Sequence, residues 1–351
     1  MRQPEFVFRG HQAAVNSVCF FADDRYLVSG DQDGLVIVWN MALKRPLVKI
    51  ANAHSAAVLA VSGVGTDTVV TQGRDNKLCI WKLTAGEFTA TAECVDTQPV
   101  ESMNFCRVSC TRSCTADTWV AGLEADAVGQ AFVYNAERRL KHTFSIERKS
   151  ATRTGAREDP PMCLRLVSVS DSELLLYVGY ESTALQCFRL STPLDRLEVV
   201  PLASVSTPHK EPVMGIDASE QLVYTCAADN QVCCFELSVS GLCPSATVPA
   251  AQLPNPGGSE IRCFPSLSLV AVAGWDYAAH LYTSSLEHVT TVRFHRAALT
   301  SLDMSSQSSV RLPGDADEVV QQRWMSRPRW LAVGSRDSRI SLWDVDSLIT
   351  T

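Results

Sequence analysis

Short runs of alternating apolar and polar residues fill most of the chain, and each run ends at a turn of acidic, glycine or other small residues. Three stretches share one skeleton: "LVSGDQDGLVIVWN" (27–40), "VAGLEADAVGQAFVYN" (120–135) and "LAVGSRDSRISLWD" (331–344). Each contains an apolar pair, a step of small residues, an acidic turn and an alternating run that ends in an aromatic residue. An apolar period of two residues is typical of β-strands, and turns at this frequency predict an all-β array.

The spacing between a turn residue and the next aromatic residue defines a repeat. An acid precedes the aromatic by six positions in Asp33–Trp39, Asp75–Trp81, Asp229–Phe235, Asp276–Tyr282 and Asp337–Trp343. Ser182–Phe188 keeps this spacing without the acid, and Asp126–Tyr134 is two residues longer. Seven units result, with terminal aromatics at 39, 81, 134, 188, 235, 282 and 343.

The unit has the length of a four-stranded propeller blade. Consecutive terminal aromatics are 42 to 61 residues apart, and such blades repeat at roughly 40–45 residues. We therefore expect residues 1–351 to form one seven-bladed β-propeller, with insertions near 107–117, 145–160 and 305–328. Residues 5–9 read as an outer strand that joins the blade ending at Trp343 and closes the ring, which leaves only short, protected sheet edges.

Four residue types recur at the spacing of the WD-repeat hydrogen-bond network, so the chain resembles that family. The first two units hold complete sets: His11, Ser29, Asp33 and Trp39, then His54, Thr71, Asp75 and Trp81. The resemblance implies that the aspartate accepts a hydrogen bond from the histidine, which reaches the hydroxyl, which in turn meets the indole.

Later units keep fewer members of the network. One unit holds His209, Thr225 and Asp229 with Phe235 in the tryptophan position. The last holds His295, Asp337 and Trp343, with Val333 where a hydroxyl is expected, and the sixth keeps only Asp276. The third unit, at 120–135, has lost the network, and we expect apolar packing to hold it. We interpret these histidines and aspartates as structural rather than catalytic or metal-binding.

The sequence segments around the repeat residues carry a more specific resemblance. The stretches "FRGHQAAVNSVCF", "QGRDNKLCIW", "PPMCLRL", "EPVMGID", "PNPGG", "AVAGWDYAAHLY", "FHRAALTSLDM" and "VGSRDSRISLW" occur in this order. Together they are similar to the family of guanine nucleotide-binding protein subunit beta-like protein 1 and ASTRA-associated protein 1. That resemblance implies a non-catalytic adaptor of a TTT or ASTRA-type assembly, which supports maturation of phosphatidylinositol-3-kinase-related kinases. True G-protein beta subunits begin with a long helix that coils with gamma; a first strand at residue 5 leaves no room for it, so no gamma subunit is expected.

Composition narrows the partners and the compartment. The formal net charge is −7 with a pI of about 5.5, so no basic field exists to attract nucleic acid or an anionic membrane surface. The N-terminus lacks a signal-peptide pattern. The 13 cysteines are scattered through strand-like runs, which favours free thiols in a reducing compartment. We expect a monomeric propeller within a hetero-complex, in the nucleus and cytoplasm, without a cofactor.

The residues directly before the turn acids are candidates for a protein-binding rim. Arg74, Trp275 and Arg336 precede their turn acids, and Gln32 holds the same place in the first unit. Tryptophan and arginine dominate binding hot spots. The alternative is local: the arginines pair with neighbouring acids and the tryptophan packs on the next blade.

Three further segments leave alternatives open. Cys106, Cys110 and Cys114 lie four residues apart, which suits a loop of free thiols better than a zinc site with close ligand pairs. Residues 145–161 read as a disordered connecting loop, a solvated spacer or a carrier of phosphoacceptors Ser150, Thr152 and Thr154. The insertion at 305–328 is either a partner site or a tolerated loop.

Other function classes remain as alternatives to the adaptor. The same rim would suit a ubiquitin-ligase substrate receptor or a histone-tail reader. No nucleophile elbow, phosphate-binding glycine loop or H-E-x-x-H motif occurs, which disfavours an enzyme. A hydrolase with its site in the central channel would require an acid–base pair there.

Overall fold

The computed structural model describes residues 2–86, 89–152, 155–191, 196–219, 221–238, 241–245, 250–305 and 328–350. Seven antiparallel sheets form the blades of a β-propeller, so the predicted all-β fold is confirmed. Strand β1 (Phe6–Arg9) precedes the first blade. No helix within the described ranges is long and apolar enough to cross a membrane.

The first three blades follow in chain order, from the innermost strand to the outermost. Blade 1 contains β2–β5: Val15–Phe21, Tyr26–Asp31, Val36–Asn40 and Arg45–Ile50. Blade 2 contains β6–β9: Val58–Val64, Thr68–Gly73, Lys77–Ala85 and Ala90–Pro99. Blade 3 contains β10–β13: Ser109–Arg112, Thr118–Leu123, Gln130–Asn135 and Leu140–Ser145.

A hairpin of β14 and β15 (Lys149–Thr152 and Gly155–Glu158) connects blades 3 and 4. Blade 4 contains β16–β19: Pro161–Ser168, Glu173–Tyr180, Ala184–Ser191 and Glu198–Ser206. Blade 5 contains β20–β23 and a short β24 on β22: Val213–Ala218, Leu222–Ala227, Gln231–Ser238, Gly241–Pro244 and Ala251–Gln252.

Blades 6 and 7 complete the ring. Blade 6 contains β25–β28: Gly258–Phe264, Leu269–Gly274, Ala278–Thr283 and His288–Arg293. Blade 7 contains β29–β31: Leu299–Met304, Trp330–Ser335 and Arg339–Asp344. A single helical turn, α1 (Val345–Ile349), follows; Asp344 caps its first amides.

Burial follows strand position within each blade. The second strands β7, β11 and β26 are buried at every residue, because neighbouring blades cover both faces of the sheet there. The outermost strand β9 alternates half-buried and exposed residues along most of its length, as expected when one face meets solvent. The apolar residues therefore form clusters between adjacent blades, such as the one that joins Val36 and Val38 of blade 1 to Val61 and Val69 of blade 2.

The N-terminal strand closes the ring, as predicted. β1 pairs antiparallel with β31, from Phe6 opposite Leu342 to Arg9 opposite Arg339. Phe8 is buried and its ring packs 4.9 Å from that of Trp39 in blade 1. The clasp therefore supplies the fourth strand of blade 7 and also contacts the first blade.

Side chains of the innermost strands link the blades around the channel. Each accepts a hydrogen bond from a backbone N–H of the next blade. Ser17 accepts from Val61 at 3.0 Å and Ser109 from Leu166 at 2.9 Å. Ser301 of blade 7 accepts from Val18 of blade 1 at 3.0 Å, so the same type of link crosses the closure.

Two expected insertions turn out to contain strands. Residues 107–117 include β10, the innermost strand of blade 3; its sequence "SCTR" has no long apolar run because it faces the channel. Residues 145–161 were expected as a disordered loop, but they contain the β14–β15 hairpin. Thr154 and most of 305–328 lie outside the described residues.

Candidate protein-binding face

One end of the ring carries the turns between the second and third strand of each blade; we call it the mouth face. In blade 2 the turn holds a complete polar chain. His54 Nδ1 lies 2.9 Å from Asp75 Oδ1, and His54 Nε2 lies 2.8 Å from Thr71 Oγ1. The Trp81 indole donates to the same hydroxyl at 3.0 Å. Ser55 N–H donates to Asp75 Oδ2 at 3.0 Å, so the chain ties the turn to the loop that enters the blade.

The charge state of this chain follows from burial and hydrogen bonding. Burial lowers the pKa of His54, and the bond to Asp75 only partly opposes that effect. Burial raises the pKa of Asp75, but hydrogen bonds from Ser55 and His54 outweigh it and leave the pKa below its usual value. The pair therefore holds a neutral imidazole beside a carboxylate, and every polar atom in it has a partner, as a buried group requires.

Blade 1 departs from the prediction that Asp33 accepts from His11. Asp31 holds that place instead, 2.7 Å from His11 Nδ1, and Asp33 is exposed. Asp31 also accepts from the backbone N–H groups of Asp33 and Leu35, each at 3.0 Å. Asp31, the first carboxylate of "DQD", thus bonds both the histidine and the backbone of its own turn, whereas Asp33, the second, points to solvent. His11, Ser29 and Trp39 are linked by bonds of 2.7 and 2.8 Å.

Blades 5 and 7 also anchor their turns through a histidine. His209 lies 3.1 Å from Asp229 and 2.9 Å from Thr225, and the buried Phe235 forms no bond with them. In blade 7, His295 lies 3.0 Å from Asp337. The missing hydroxyl at position 333 is supplied by another strand: Ser341 lies 2.8 Å from His295 Nε2 and accepts the indole N–H of Trp343 at 2.8 Å.

Blade 6 uses a histidine that sequence spacing did not reveal. His280 Nε2 lies 3.1 Å from Asp276 Oδ1, and Arg293 donates to Asp276 Oδ2 at 2.8 Å. His280 follows the aspartate by four residues instead of preceding it by about twenty, so a search for the usual order passes over it. Its alternation with apolar residues in "AAHLY" on β27 was the available signal.

Blades 3 and 4 lack a histidine in the turn. In blade 4, Asp159 lies before the first strand and accepts from the backbone N–H of Ser182 at 2.9 Å and from its hydroxyl. In blade 3, Asp126 is exposed, and the buried Tyr134 donates its hydroxyl proton across the blade boundary to Asp96. These two turns are held without the histidine relay.

The four predicted rim residues converge on one feature. Gln32, Arg74, Trp275 and Arg336 all line the entrance of the central channel, a cavity of about 260 Å³. Gln32 accepts from Asn16 at 3.1 Å. Each rim residue precedes or lies within a turn fixed by the hydrogen bonds above, so the rim is held rigidly by the blades.

Trp275 and the two arginines differ in the contacts that hold their side chains. Trp275 is 41% exposed, and its ring lies against Gly257, where φ is +104° and any Cβ would come within 2.2 Å of the indole. The "PNPGG" loop thus provides the bed for this side chain. Arg74 is half-buried, and within the described ranges its side chain donates to the carbonyl oxygens of Ser102 and Met103, at 3.4 Å. Among the described residues no side chain pairs with the exposed Arg336.

Two further rim residues lie on the segment that leads into blade 3, and sequence reasoning missed both. Phe105 lines the channel entrance and is 62% exposed. Arg107 donates across the channel to the carbonyl oxygens of Asn16 and Thr300, each at 3.1 Å. The segment was interpreted as the edge of an insertion, which hid its position on the ring axis.

Below the entrance, charged side chains are paired. Arg165 lies 2.7 Å from Asp217, and Arg262 lies 2.7 Å from Glu260. Burial raises the pKa of a third carboxyl, Asp303, to about 6. Asp303 accepts from Phe20 N–H at 2.7 Å, as Asp217 and Glu260 accept from backbone groups of neighbouring blades. These carboxylates therefore link blades, which is a structural use of the channel.

The cysteines at 106, 110 and 114 differ in burial: the first is buried, the second half-buried and the third exposed. Burial raises the pKa of Cys110 to about 12, which keeps that thiol protonated. Within the residues that the structure describes, no group of three or more histidine, cysteine or acidic side chains could hold a metal ion.

Comparisons with known proteins agree with the fold. The family model for the WD domain, G-beta repeat, matches residues 2–40 and 279–344. Guanine nucleotide-binding protein subunit beta-like protein 1 of Mus musculus is 28% identical over 97% of this chain and 96% of its own. ASTRA-associated protein 1 of Verticillium alfalfae is 26% identical over 97% and 92%, and that of Schizosaccharomyces pombe is 25% identical over 97% and 98%. The similarity extends over nearly the whole chain in each case.

Proposed function

We propose that this chain is a WD-repeat protein and a non-catalytic adaptor of an ASTRA-type assembly. Curated relatives that match nearly its full length are named ASTRA-associated protein 1. Within that assembly the adaptor serves a TTT-type co-chaperone in the maturation of phosphatidylinositol-3-kinase-related kinases. It acts as a monomeric propeller in a hetero-complex, in the nucleus and cytoplasm.

The observation that carries the proposal is the rim of the mouth face. Gln32, Arg74, Trp275 and Arg336 come from four different blades and line one entrance. An exposed tryptophan among arginines has the composition of a protein-binding hot spot. The channel carboxylates, in contrast, accept backbone hydrogen bonds between blades, which favours a scaffold over a channel-site hydrolase.

Affinity purification of the tagged protein from its own cells, followed by quantitative mass spectrometry, tests this function. Wild type is compared with Trp275→Ala and with the control Leu43→Ala. Leu43 is exposed to a similar degree, 48% against 41%, but lies on a turn at the opposite end of blade 1. We expect wild type and Leu43→Ala to recover Tel and Tti proteins with kinase clients.

Trp275→Ala should lose most of that recovery while its melting temperature stays within a few degrees of wild type, because its indole lies on the surface. Recovery of ubiquitin-ligase subunits or histones instead would contradict the ASTRA-type assignment. Equal recovery by Trp275→Ala and wild type would move the interface away from the mouth face.

A further inference from the structure

The channel entrance on the mouth face carries two arginines that form no ion pair within the described part of the chain. Arg74 and Arg336 reach no carboxylate among the described residues. The turn acids beside them, Asp75 and Asp337, are turned into their own blades, where they meet His54 and His295. These carboxylates are engaged with protein groups, so among the described residues they leave the two guanidinium groups without an ion pair.

Arg107 adds to this charge at the centre of the entrance. Its nearest carboxylate is Glu260, at 3.7 Å, and that carboxylate is already 2.7 Å from Arg262. Three arginines, Arg74, Arg107 and Arg336, lie at the entrance. The other two that line the cavity, Arg165 and Arg262, are paired with Asp217 and Glu260. A chain with a net charge of −7 therefore concentrates cationic groups at one entrance, where the low-dielectric walls of the channel strengthen their field.

Two exposed aromatic side chains border the same entrance. Phe105 is 62% exposed and Trp275 is 41% exposed, and Trp275 is held in place by the backbone of Gly257. Guanidinium groups that alternate with aromatic rings suit carboxylates that alternate with apolar side chains, because both the charge and the apolar area are then matched.

The size of the entrance limits the form of the ligand. Its volume of about 260 Å³ is below the roughly 300–1,000 Å³ of pockets that enclose small molecules. A cavity of this size accepts one or two side chains, while the backbone that carries them crosses the rim. An extended peptide segment meets this requirement.

A neighbouring groove on the same face has the opposite charge. It lies beside the turn of blade 3 and the segment that connects blades 3 and 4. One arginine, Arg148, and six acids are in its lining: Glu101, Glu124, Asp126, Glu147, Glu158 and Asp159. An acidic segment is repelled there, so the difference between the groove and the entrance favours one binding position and one exit direction.

We infer that the channel entrance binds an extended acidic segment of a protein partner, with its carboxylates on Arg74, Arg107 and Arg336 and an apolar side chain between Phe105 and Trp275. This inference rests on the proposed function, because it specifies the chemistry by which the adaptor holds its partner.

Fluorescence anisotropy with defined probes tests the inference. The first probe is a labelled 12-residue peptide of glutamate and aspartate with one central phenylalanine. The second replaces its acids with lysine, and the third replaces its phenylalanine with serine. We expect saturable binding of the first probe to wild type, weaker binding of the third and none of the second.

The variant Arg74→Glu/Arg336→Glu should bind the first probe at least about tenfold more weakly, since two charge pairs become repulsive. Arg74→Gln/Arg336→Gln gives the same direction with less risk to folding. Arg45→Glu is the control: it makes the same substitution once, on an exposed residue of the outermost strand of blade 1, and should leave affinity unchanged. The single variants Arg74→Glu and Arg336→Glu, which change the charge by the same amount as this control, should each weaken binding.

Three results would overturn the inference: equal affinity in wild type and both double variants, no saturable binding of the first probe, or tighter binding of the lysine probe. Displacement of the bound probe by an oligothymidylate of equal length at equal concentration would also overturn it, because a nucleic-acid ligand would then satisfy the same charges.

Failure of the inference and failure of the proposed function give different results. If ASTRA-type partners depend on Trp275 but acidic probes do not bind, the function stands and this chemistry is wrong. If acidic probes bind as described while other assemblies are recovered from cells, the chemistry stands and the assigned assembly is wrong.

Discussion

Blades 2 and 3 are neighbours with the same strand order, yet they hold their turns on the mouth face by different chemistry. In blade 2, Gly73 leaves room for the His54 ring; a Cβ there would lie 2.3 Å from it. In blade 3, Gly122 leaves room for Phe132, whose ring would lie 2.8 Å from a Cβ. Gly122 of blade 3 occupies the position that Thr71 occupies in blade 2, because Gly122 pairs with Phe132 and Thr71 pairs with Cys79. The phenyl ring of Phe132 therefore fills the space that the threonine hydroxyl occupies in blade 2.

The difference shows that one blade geometry accepts two kinds of core. The polar chain of blade 2 is directional, and each member is needed to satisfy the others. The apolar filling of blade 3 depends on volume and packing. Loss of the histidine and hydroxyl in blade 3 is thus compensated by an aromatic ring and does not open the ring of blades.

The largest expected effect is in the apolar blade. Phe132→Ala removes a fully buried ring from the cluster between blades 2 and 3 and should lower the free energy of unfolding by about 3–5 kcal/mol. Chemical denaturation measures it. Val128→Ala, at a site that is 81% exposed, should change stability by less than about 0.5 kcal/mol. A loss below about 1 kcal/mol for Phe132→Ala would show that blade 3 does not depend on this packing.

The next largest difference between the two blades should appear when the turn aspartate is replaced. Asp75→Ala leaves the His54 ring and Ser55 N–H without their acceptor and should cost about 2–3 kcal/mol. Asp126→Ala should cost at most about 1 kcal/mol, because Asp126 is exposed and only its left-handed backbone, φ 58°, disfavours alanine. Equal losses in denaturant unfolding would contradict the assignment of a polar chain to blade 2 and not to blade 3.

The polar chain of blade 2 should also make stability depend on pH, whereas the apolar core of blade 3 should not. His54 has a lowered pKa in the folded state because it is buried, so the unfolded chain binds its proton more readily. Stability is therefore present above the ordinary imidazole pKa and is lost as the pH falls through it. His54→Gln should show a smaller loss of unfolding free energy between pH 7 and pH 5 than wild type does. Phe132→Leu, also destabilised but in blade 3, should keep the wild-type pH dependence; an unchanged slope in His54→Gln would refute this role.

The smallest effect concerns the bond between the two blades. Tyr134→Phe removes the hydroxyl that donates to Asp96 on the outermost strand of blade 2 and should cost about 1 kcal/mol. Thermal unfolding of Tyr134→Phe, alone and combined with Asp96→Asn, measures it. Additive effects of the two substitutions would indicate that the bond contributes no coupling energy.

Repeat spacing was sufficient to predict the seven blades and the N-terminal clasp, because strand periodicity and turn residues are local signals. The polar chains were less predictable where several residues compete for one role. "DQD" offers two carboxylates close together in sequence, and the geometry of the turn places Asp31 rather than Asp33 on His11. Ser341 replaces a hydroxyl from another strand, so its role depends on cross-strand register.

The rim residues were also only partly predictable from the sequence. Gln32, Arg74, Trp275 and Arg336 could be placed on one face from their position in the repeat. Arg107 and Phe105 could not, since the innermost strand of blade 3 is short and half polar and was not recognised as a strand. Residues on the channel axis follow from the ring as a whole, which periodicity within one blade does not describe.

The most direct test of a partner on the mouth face is lysine cross-linking of the assembled complex, followed by mass spectrometry. Exposed Lys77, the first residue of β8, and exposed Lys210, on the loop that leads into blade 5, lie at the mouth face. Lys44 and Lys82 lie at the opposite end of their blades. We expect partner cross-links to involve Lys77 and Lys210 and to disappear, together with the partner, in Trp275→Ala. Partner cross-links confined to Lys44 and Lys82 would contradict it.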